Sequence, residues 1–310
     1  MRSEPKVLII ILNRNQYELT RETLHSLQKI DYENHDILLI DNGSTDDSFY
    51  RIKVDFPQLF TVANKKNLGV AGGRNVGIEF ARKRDDDYLL FLDNDVLVAP
   101  DFLTKLVQAM DLYPDVGGVQ SLIFHLGAPE TVSHAGGQYF PLICHGRSRR
   151  AKKTAALLRN SRPLEIDWMS GVSQLIKREV FSRVKGFDED YYPYGSEDKQ
   201  MGRAIKCAGY RLLVAPSSWV WHREKREKQW LEFKTENIAM SAVIFLRKNS
   251  HWASFPFALA WHLLNYVTRY SLVFLYSERY DLLHALVKGL REGWRKPISR
   301  MTRNRNRRHE

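Results

Sequence analysis

What most constrains this chain is a set of short apolar runs that stop abruptly at polar residues. Residues 6–12 (KVLIIIL) run into Asn13-Arg14-Asn15, residues 35–41 (HDILLID) into Asn42-Gly43-Ser44, and residues 88–92 (YLLFL) into Asp93-Asn94-Asp95. Runs apolar on both faces must be buried on both faces, and the amphipathic stretches at 17–30, 46–56 and 71–84 supply helices to bury them. The spacing predicts an α/β fold: strands mostly parallel, in a mixed sheet, with helices on both faces. Farther on we expect a short strand at 59–63, a helix at 100–113, a strand at 116–124, an irregular stretch at 127–162, and renewed order over 167–177. A short helix at 178–184, a helix at 197–208 and a strand at 210–215 complete the pattern.

Composition excludes several classes. With 310 residues, 44% hydrophobic and 12% aromatic, the chain is neither disordered nor low-complexity. Two cysteines, Cys144 and Cys207, are too few for a disulfide framework and suggest a reducing compartment. The apolar run at 7–12 is shorter than the core of a secretory signal, so a cytosolic chain is expected. The net charge of +11 is unevenly spread: residues 147–162 carry +7 without an acid and residues 291–310 carry +6, leaving −2 for the rest. Such segments suit anionic lipid or nucleic acid, or are simply solvated.

The strand ends carry the chemistry. Asp93 and Asp95, spaced i and i+2, can both reach a hard divalent cation, although such a turn can equally do no more than end a strand. Asp41, in Asp41-Asn42-Gly43-Ser44-Thr45-Asp46, can accept a base N–H, and its neighbours Ser44 and Asp46 would also serve as helix caps. The stretch Asn67-Leu68-Gly69-Val70-Ala71-Gly72-Gly73-Arg74-Asn75 is a glycine-rich approach to a helix, able to aim backbone N–H groups at an anion. It lacks the spacing of a dinucleotide fingerprint and the Gly-Lys-Ser/Thr of a phosphate-binding loop, which counts against a dehydrogenase and an ATPase. Glu197 and Asp198 would open a helix, where carboxylates are favoured as caps. Neighbouring Trp168 and Tyr194 point instead to proton abstraction from a polyhydroxyl ligand. His222, among tryptophans, reads by itself as a packed residue.

In order along the chain, these motifs resemble family 2 glycosyltransferases of the GT-A fold, nearest to bacterial rhamnosyltransferase-type enzymes of surface polysaccharide synthesis. The motifs are Asn-Arg-Asn, Leu-Ile-Asp-Asn-Gly-Ser-Thr-Asp, Asn-Leu-Gly-Val-Ala-Gly-Gly-Arg-Asn, Phe-Leu-Asp-Asn-Asp, Trp-Met-Ser-Gly, Gly-Phe-Asp-Glu and Ser-Glu-Asp, spread over residues 5–225. The resemblance implies an inverting transfer from a nucleotide-diphospho-sugar to a hydroxyl of a lipid-linked or other glycan acceptor. It places Asn13, Arg14, Asp41, Asn67, Gly72, Arg74, Asp93 and Asn94 on the donor nucleotide. Asp93, Asp95 and His222 fall at Mg²⁺ or Mn²⁺, Asp198 is the general base with Glu197 orienting, and Trp168, Gly171 and Tyr194 contact the acceptor. Two departures stand out: Arg14 replaces a frequent tyrosine, and Lys199-Gln200-Met201 follows Glu-Asp where an acid or aliphatic and then Asp-Leu are usual. A sugar nucleotidyltransferase or a nucleic-acid-binding protein using the basic segments are the alternatives. The latter is disfavoured because no aromatics are interleaved with the arginines of 147–162 or 295–310.

Twenty residues, 249–268, pass without Lys, Arg, Asp or Glu, and Trp252, Phe255, Phe257, Trp261, Tyr266, Tyr270, Phe274 and Tyr276 crowd the surrounding stretch. Pro256, two histidines and Arg269 make it a poor bilayer-spanning helix, whereas aromatics with an Arg-rich end suit a membrane interface. A core-packing helical extension is the alternative. The expected division is a GT-A domain at 1–228, a membrane-associating helical extension at 229–294 and a disordered basic tail at 295–310. The enzyme would sit peripherally on the cytoplasmic face of the inner membrane.

Overall fold

A computed structural model describes residues 4–148, 162–223 and 227–299. Most of the basic run at 147–162 and the basic tail beyond 299 lie outside the described residues. Backbone contacts divide the chain into two units: Met1–Tyr139 with Gly146–Arg226, and Phe140–His145 with Glu227–Glu310.

The first unit opens as a regular alternation: β1 (Val7–Asn13), α1 (Tyr17–Leu27), β2 (His35–Asp41), α2 (Ser48–Asp55), β3 (Phe60–Ala63), α3 (Gly69–Ala81) and β4 (Tyr88–Leu92). There follow β5 (Val96–Val98), α4 (Phe102–Asp111), β6 (Val116–His125) and β7 (Ala128–His134). β8 (Gly137–Phe140) pairs with β9 (His145–Ser148) in a separate two-stranded sheet and bridges Trp168 through Gly137, and after them come β10 (Leu164–Ile166), β11 (Ser173–Lys177), α5 (Glu197–Cys207) and β12 (Arg211–His222). The main sheet runs β10-β12-β6-β11-β4-β1-β2-β3, with β5 on β12 and β7 on β6. β3, β2, β1 and β4 are mutually parallel, and β11 enters antiparallel between β4 and β6.

Alternation along the strands divides the core into two layers, because successive side chains leave opposite faces of a sheet. Val7, Ile9 and Ile11 of β1, with Leu39 and Leu90, pack under Leu24 and Leu27 of α1 and Leu103 and Leu106 of α4. Leu8 and Ile10, with Leu38, Ile40, Leu89 and Phe91, pack under Ile78 of α3 and Met201 and Ile205 of α5. The doubly apolar runs are therefore covered on both sides, as their composition requires.

Two expectations need correction. The stretch at 127–162 is not irregular throughout, since β7, β8 and β9 lie within it. They are poorly apolar (APETVSH, GQYF, HGRS) and largely exposed, so hydrophobic patterning carries no trace of them. The last strand does not end at 215: it passes Pro216 through an irregularity in its pairing with β6 and continues to His222. β5, three residues long, pairs with that continuation.

In the second unit, α6 (Lys228–Asn249) packs on α9 (Tyr280–Arg295). A Cβ at Gly289 would meet the Glu236 carbonyl oxygen at 2.1 Å, and one at Gly293 would meet the Met240 carbonyl oxygen at 2.7 Å, so small residues set the close approach. Between them run α7 (Phe255–Trp261), a π-helical turn (His262–Val267) and α8 (Thr268–Tyr276), in which Ala258 is the one buried residue. Phe257, Leu263, Leu264, Leu272, Val273, Leu275 and Tyr276 are exposed, the last at 94%. Among the described residues no helix is long and apolar enough to cross a membrane.

Candidate active site

The parallel register sets Asn13, the last residue of β1, beside Asp41, the last of β2. Both are buried, and Asn13 Nδ2 donates to Asp41 Oδ1 (3.1 Å) and Ser48 Oγ (3.1 Å), while Thr20 Oγ1 donates to Asn13 Oδ1 (3.0 Å). Asp41 also accepts from the Ser44 backbone N–H (3.0 Å) and hydroxyl. The Asp41 carboxylate is thus held in place by the turn that follows it.

The glycine-rich segment is fastened to the same end of the sheet. Asn42 Nδ2 donates to the Asn67 side chain (3.2 Å) and the Gly69 carbonyl (2.9 Å), and Asn42 Oδ1 accepts from the Leu68 N–H (3.1 Å). Gly69, at φ +72°, turns the chain into α3 in a conformation that favours glycine. Gly77 then lets α3 sit directly on the sheet, since a Cβ there would fall 2.7 Å from Ile10 and 3.2 Å from Ile40. Gly72 faces the loop that carries Glu189.

Seating α3 in this way brings Arg74 into the site. It is 3% exposed, and its Nη2 donates both to Asp93 Oδ1 (3.1 Å) and to the Gly171 carbonyl (2.7 Å), with the guanidinium carbon 5.3 Å from the Phe187 ring centroid. Among the described residues nothing accepts from Arg74 Nη1, a buried donor left without a partner. Next to it, β5 pairs with β12 so that Val96 stands opposite His222, and the imidazole Nε2 comes 3.3 Å from Asp95 Oδ1. Asp93, Asp95 and His222 each offer a ligand atom within 4.8 Å of the others. Two carboxylate oxygens and one imidazole nitrogen form a donor set that fits a divalent cation. Burial pushes the Asp93 carboxyl up, and the Arg74 charge opposes it.

On the other side lies the Trp168-Met169-Ser170-Gly171 loop. Its Gly171 carbonyl holds Arg74 and its Gly171 N–H reaches Asp198, so one residue joins the two halves of the site. Glu197, 5% exposed, accepts from the Gly195 N–H (2.6 Å); burial and the charge of Asp198 push its pKa up to about 7. Burial also raises Asp198, against the Lys199 charge and the Lys199 N–H bound to Oδ1 (2.7 Å). Trp168 is 4% exposed and packs edge-on against His134.

The acids of the distant motifs therefore meet in one connected constellation. Asp41 joins Asn13; Asn13 joins Thr20; Thr20 accepts from Asn94 Nδ2 (2.8 Å), between Asp93 and Asp95; and Arg74 with Gly171 carries the connection to Asp198. Asn94 is turned towards α1, where it also meets Gln16 (3.0 Å). Arg14 is exposed beyond the end of β1, and Tyr194 is half-buried just ahead of α5.

The model of the family described as "Glycosyl transferase family 2" matches residues 7–185, more than half of the chain. The chain belongs to glycosyltransferase family 2. A relative within reach of this family 2 chain is an N-acetylglucosaminyl-diphospho-decaprenol L-rhamnosyltransferase of Mycobacterium tuberculosis, 28% identical over 207 residues. That match covers 61% of this chain and just under two thirds, 66%, of the relative. Two solved structures share the fold. GalNAc-T7 with UDP, GalNAc and Mn²⁺ superposes with a TM-score of 0.60 at 22% identity, covering 72% of this chain and 44% of that one. The mannosyltransferase PcManGT from Pyrobaculum calidifontis, with GDP-Man and Mn²⁺, gives 0.59 at 20% identity, covering 96% and 89%.

Several residues that shape the family 2 site were given no role by the sequence, and two of them, Gln120 and Gln174, lie outside every motif. Gln120, fully buried in β6, accepts from the Ser170 N–H (2.7 Å), and Gln174 of β11 donates to the Met169 carbonyl (3.0 Å), so two sheet residues hold the Trp168–Gly171 loop. Asn75 pins the loop behind Arg74 through the Phe187 carbonyl (2.9 Å) and N–H (2.8 Å). A buried glutamine in an apolar strand was the available signal for the first two.

Proposed function

We propose that this family 2 chain transfers a sugar, with inversion, from a nucleoside diphosphate donor to a hydroxyl of a lipid-linked or other glycan acceptor in surface polysaccharide synthesis. The observation that carries the reading is the single constellation in which Asp93, Asp95 and His222 stand on one side of Arg74 and Asp198 on the other. Asp41, held by Asn13 and Ser44, is the acceptor for a base N–H, and Asn67, Gly72 and the unpartnered Nη1 of Arg74 line the way to the diphosphate. Arg14 and Asn94 complete the donor side. The two solved structures that share the fold each hold a nucleotide and Mn²⁺, which supports a nucleotide donor and a divalent ion here.

Asp93, Asp95 and His222 would hold Mg²⁺ or Mn²⁺. Such an ion supplies countercharge to diphosphate oxygens, a contribution of several kcal/mol. The protein's own groups do the rest. Asp198 takes the proton of the acceptor hydroxyl as that oxygen bonds to the anomeric carbon; the bond to the diphosphate oxygen breaks, and its electron pair leaves with the nucleoside diphosphate. Glu197 orients the acceptor, and Trp168, Gly171 and Tyr194 form its floor.

A lipid-linked acceptor accords with the name of the mycobacterial relative. It accords also with the exposed apolar residues of α7, the π-turn and α8, which suit peripheral attachment at the cytoplasmic face of the inner membrane, with the basic tail on anionic lipid.

A panel of nucleotide sugars tests the donor side on the full chain. One of them should raise the melting temperature only with Mg²⁺ or Mn²⁺ present, because ligand binding stabilises by mass action, and turnover should release nucleoside diphosphate. Release of pyrophosphate would assign nucleotidyl transfer instead, and a panel without any metal-dependent stabilisation overturns the donor site. Asp198→Asn should lower kcat about 10²–10⁴-fold with donor affinity unchanged; near-normal turnover would remove Asp198 from its role.

A further inference from the structure

The departure immediately after the base has a consequence for the acceptor. Lys199 stands where the resemblance leads one to expect an acid or an aliphatic, and its Nζ lies 5.4 Å from the centroid of the Trp168 ring. β9 closes on this pair: a Cβ at Gly146 would be 3.1 Å from Lys199 Cδ and 3.3 Å from Trp168 Nε1, which is itself buried without a partner. One helical turn on, the Arg203 guanidinium carbon is 5.2 Å from the Tyr139 ring centroid. Lys206, farther along the same face of α5, is paired with Asp167. Among the described residues no ion pair within 4 Å is made by Lys199 or Arg203; Lys199 shares its charge only with the neighbouring Asp198 carboxylate, and Arg203 rests on the Tyr139 ring.

Two like charges at i and i+4 on a helix are unfavourable, and half-burying a cation against aromatic rings removes part of its water. Aromatic faces recover part of that cost. An anion supplied by the ligand recovers more, because charge-assisted hydrogen bonds are the stronger kind. A sugar whose hydroxyl meets Asp198 stands one residue from Lys199, the cation that rests on the Trp168 ring.

We infer that Lys199, with Arg203 behind it, binds an anionic substituent of the acceptor, and that the enzyme thereby selects phosphate- or carboxylate-bearing acceptors over neutral ones. This rests on the glycosyl-transfer reading given above. The shared chemistry is a negatively charged oxygen cluster near the acceptor hydroxyl; a lipid diphosphate and an acidic sugar are its two sources.

The test uses the full chain, its donor and three probe acceptors with the same terminal sugar: an alkyl diphosphate glycoside, a glycoside with a neighbouring uronic acid, and a neutral alkyl glycoside. The wild type should favour one charged probe at least tenfold in kcat/KM, and which probe it favours identifies the source. Lys199→Gln should bring the charged-to-neutral ratio to near one through the acceptor KM, leaving the donor KM alone. Lys199→Arg should restore most of the ratio, and Arg203→Gln should lower it less. Lys199 also steadies the Asp198 carboxylate, so the ratio between probes, rather than the absolute rate, is the readout. Equal use of charged and neutral probes by the wild type, or a ratio unchanged in Lys199→Gln, overturns the inference while the transferase reading stands. If the wild type transfers to no probe and releases no nucleoside diphosphate from any donor, both fall together. Calorimetry with N-acetylglucosamine 1-phosphate and saturating nucleoside diphosphate gives a readout free of turnover: weaker binding to Lys199→Gln than to wild type is expected, and identical binding counts against it.

Discussion

Adjacent residues of one helix turn can be asked for opposite things. Glu197 is enclosed and answered by a backbone N–H, while Asp198, with Lys199 beside it, is the less buried acid of the pair and the general base of the proposed reaction. Because the folded-state pKa of Glu197 is raised to about 7 from an unfolded value of 4.5, its proton is held more tightly when folded. Below the unfolded value it costs nothing; as pH rises from there to about 7 the unfolded chain gains by ionising, and the folded state loses stability accordingly. Glu197→Gln removes that loss, so the melting temperature of the variant minus that of wild type should grow between pH 5 and pH 8. A difference independent of pH would mean that Glu197 is ionised as readily when folded as when unfolded. The same shifts place the acidic limb of the activity profile above the ordinary carboxylate range, as an apparent property of the pair.

Elements decide which of these residues meet. Arg74 reaches Asp93 and Gly171 because α3 lies against β1 and β2 at glycine positions, and Gly77 is the tightest contact on the strand residues. Gly77→Val should destabilise by roughly 1–3 kcal/mol by overpacking, more than its small gain in helix propensity returns. It should also weaken donor binding, since displacing the helix moves Arg74; denaturation and donor titration on one preparation check both. Legibility at this scale follows burial. β1, β2 and β4 were readable because both their faces are buried, whereas β7 to β9 bury few side chains and leave most of them in water.

For the whole molecule, the second unit leaves its central helices almost bare. Burying one large apolar side chain contributes about 1.5–3 kcal/mol. Leu264→Glu and Tyr276→Glu, at residues 69% and 94% exposed, should therefore each lower partitioning onto vesicles containing anionic lipid by about tenfold or more. Binding should also weaken with added salt if the tail at 295–310 contributes. Co-sedimentation of the full chain measures both. Variants that sediment like wild type would assign that surface to something other than lipid.

The α/β alternation, the strand ends as the place of chemistry, and the candidates Asp41, Asp93, Asp95 and Asp198 were all legible in the linear chain. The alternation and the strand-end candidates depend on local facts, apolar periodicity and polar residues where a buried strand must stop; Asp198 opens a helix and was singled out by its aromatic neighbours and by the order of the motifs. The proximity of His222 to Asp95 depends instead on β12 continuing past Pro216 and pairing with three-residue β5. Gln120 and Gln174 acquire their place only once β11 lies antiparallel between β4 and β6. Arg74 as the link between Asp93 and the Gly171 loop likewise appears only in the packed molecule. Pairing register and helix seating are non-local, set by which surfaces can be buried together, and no window of sequence contains both partners.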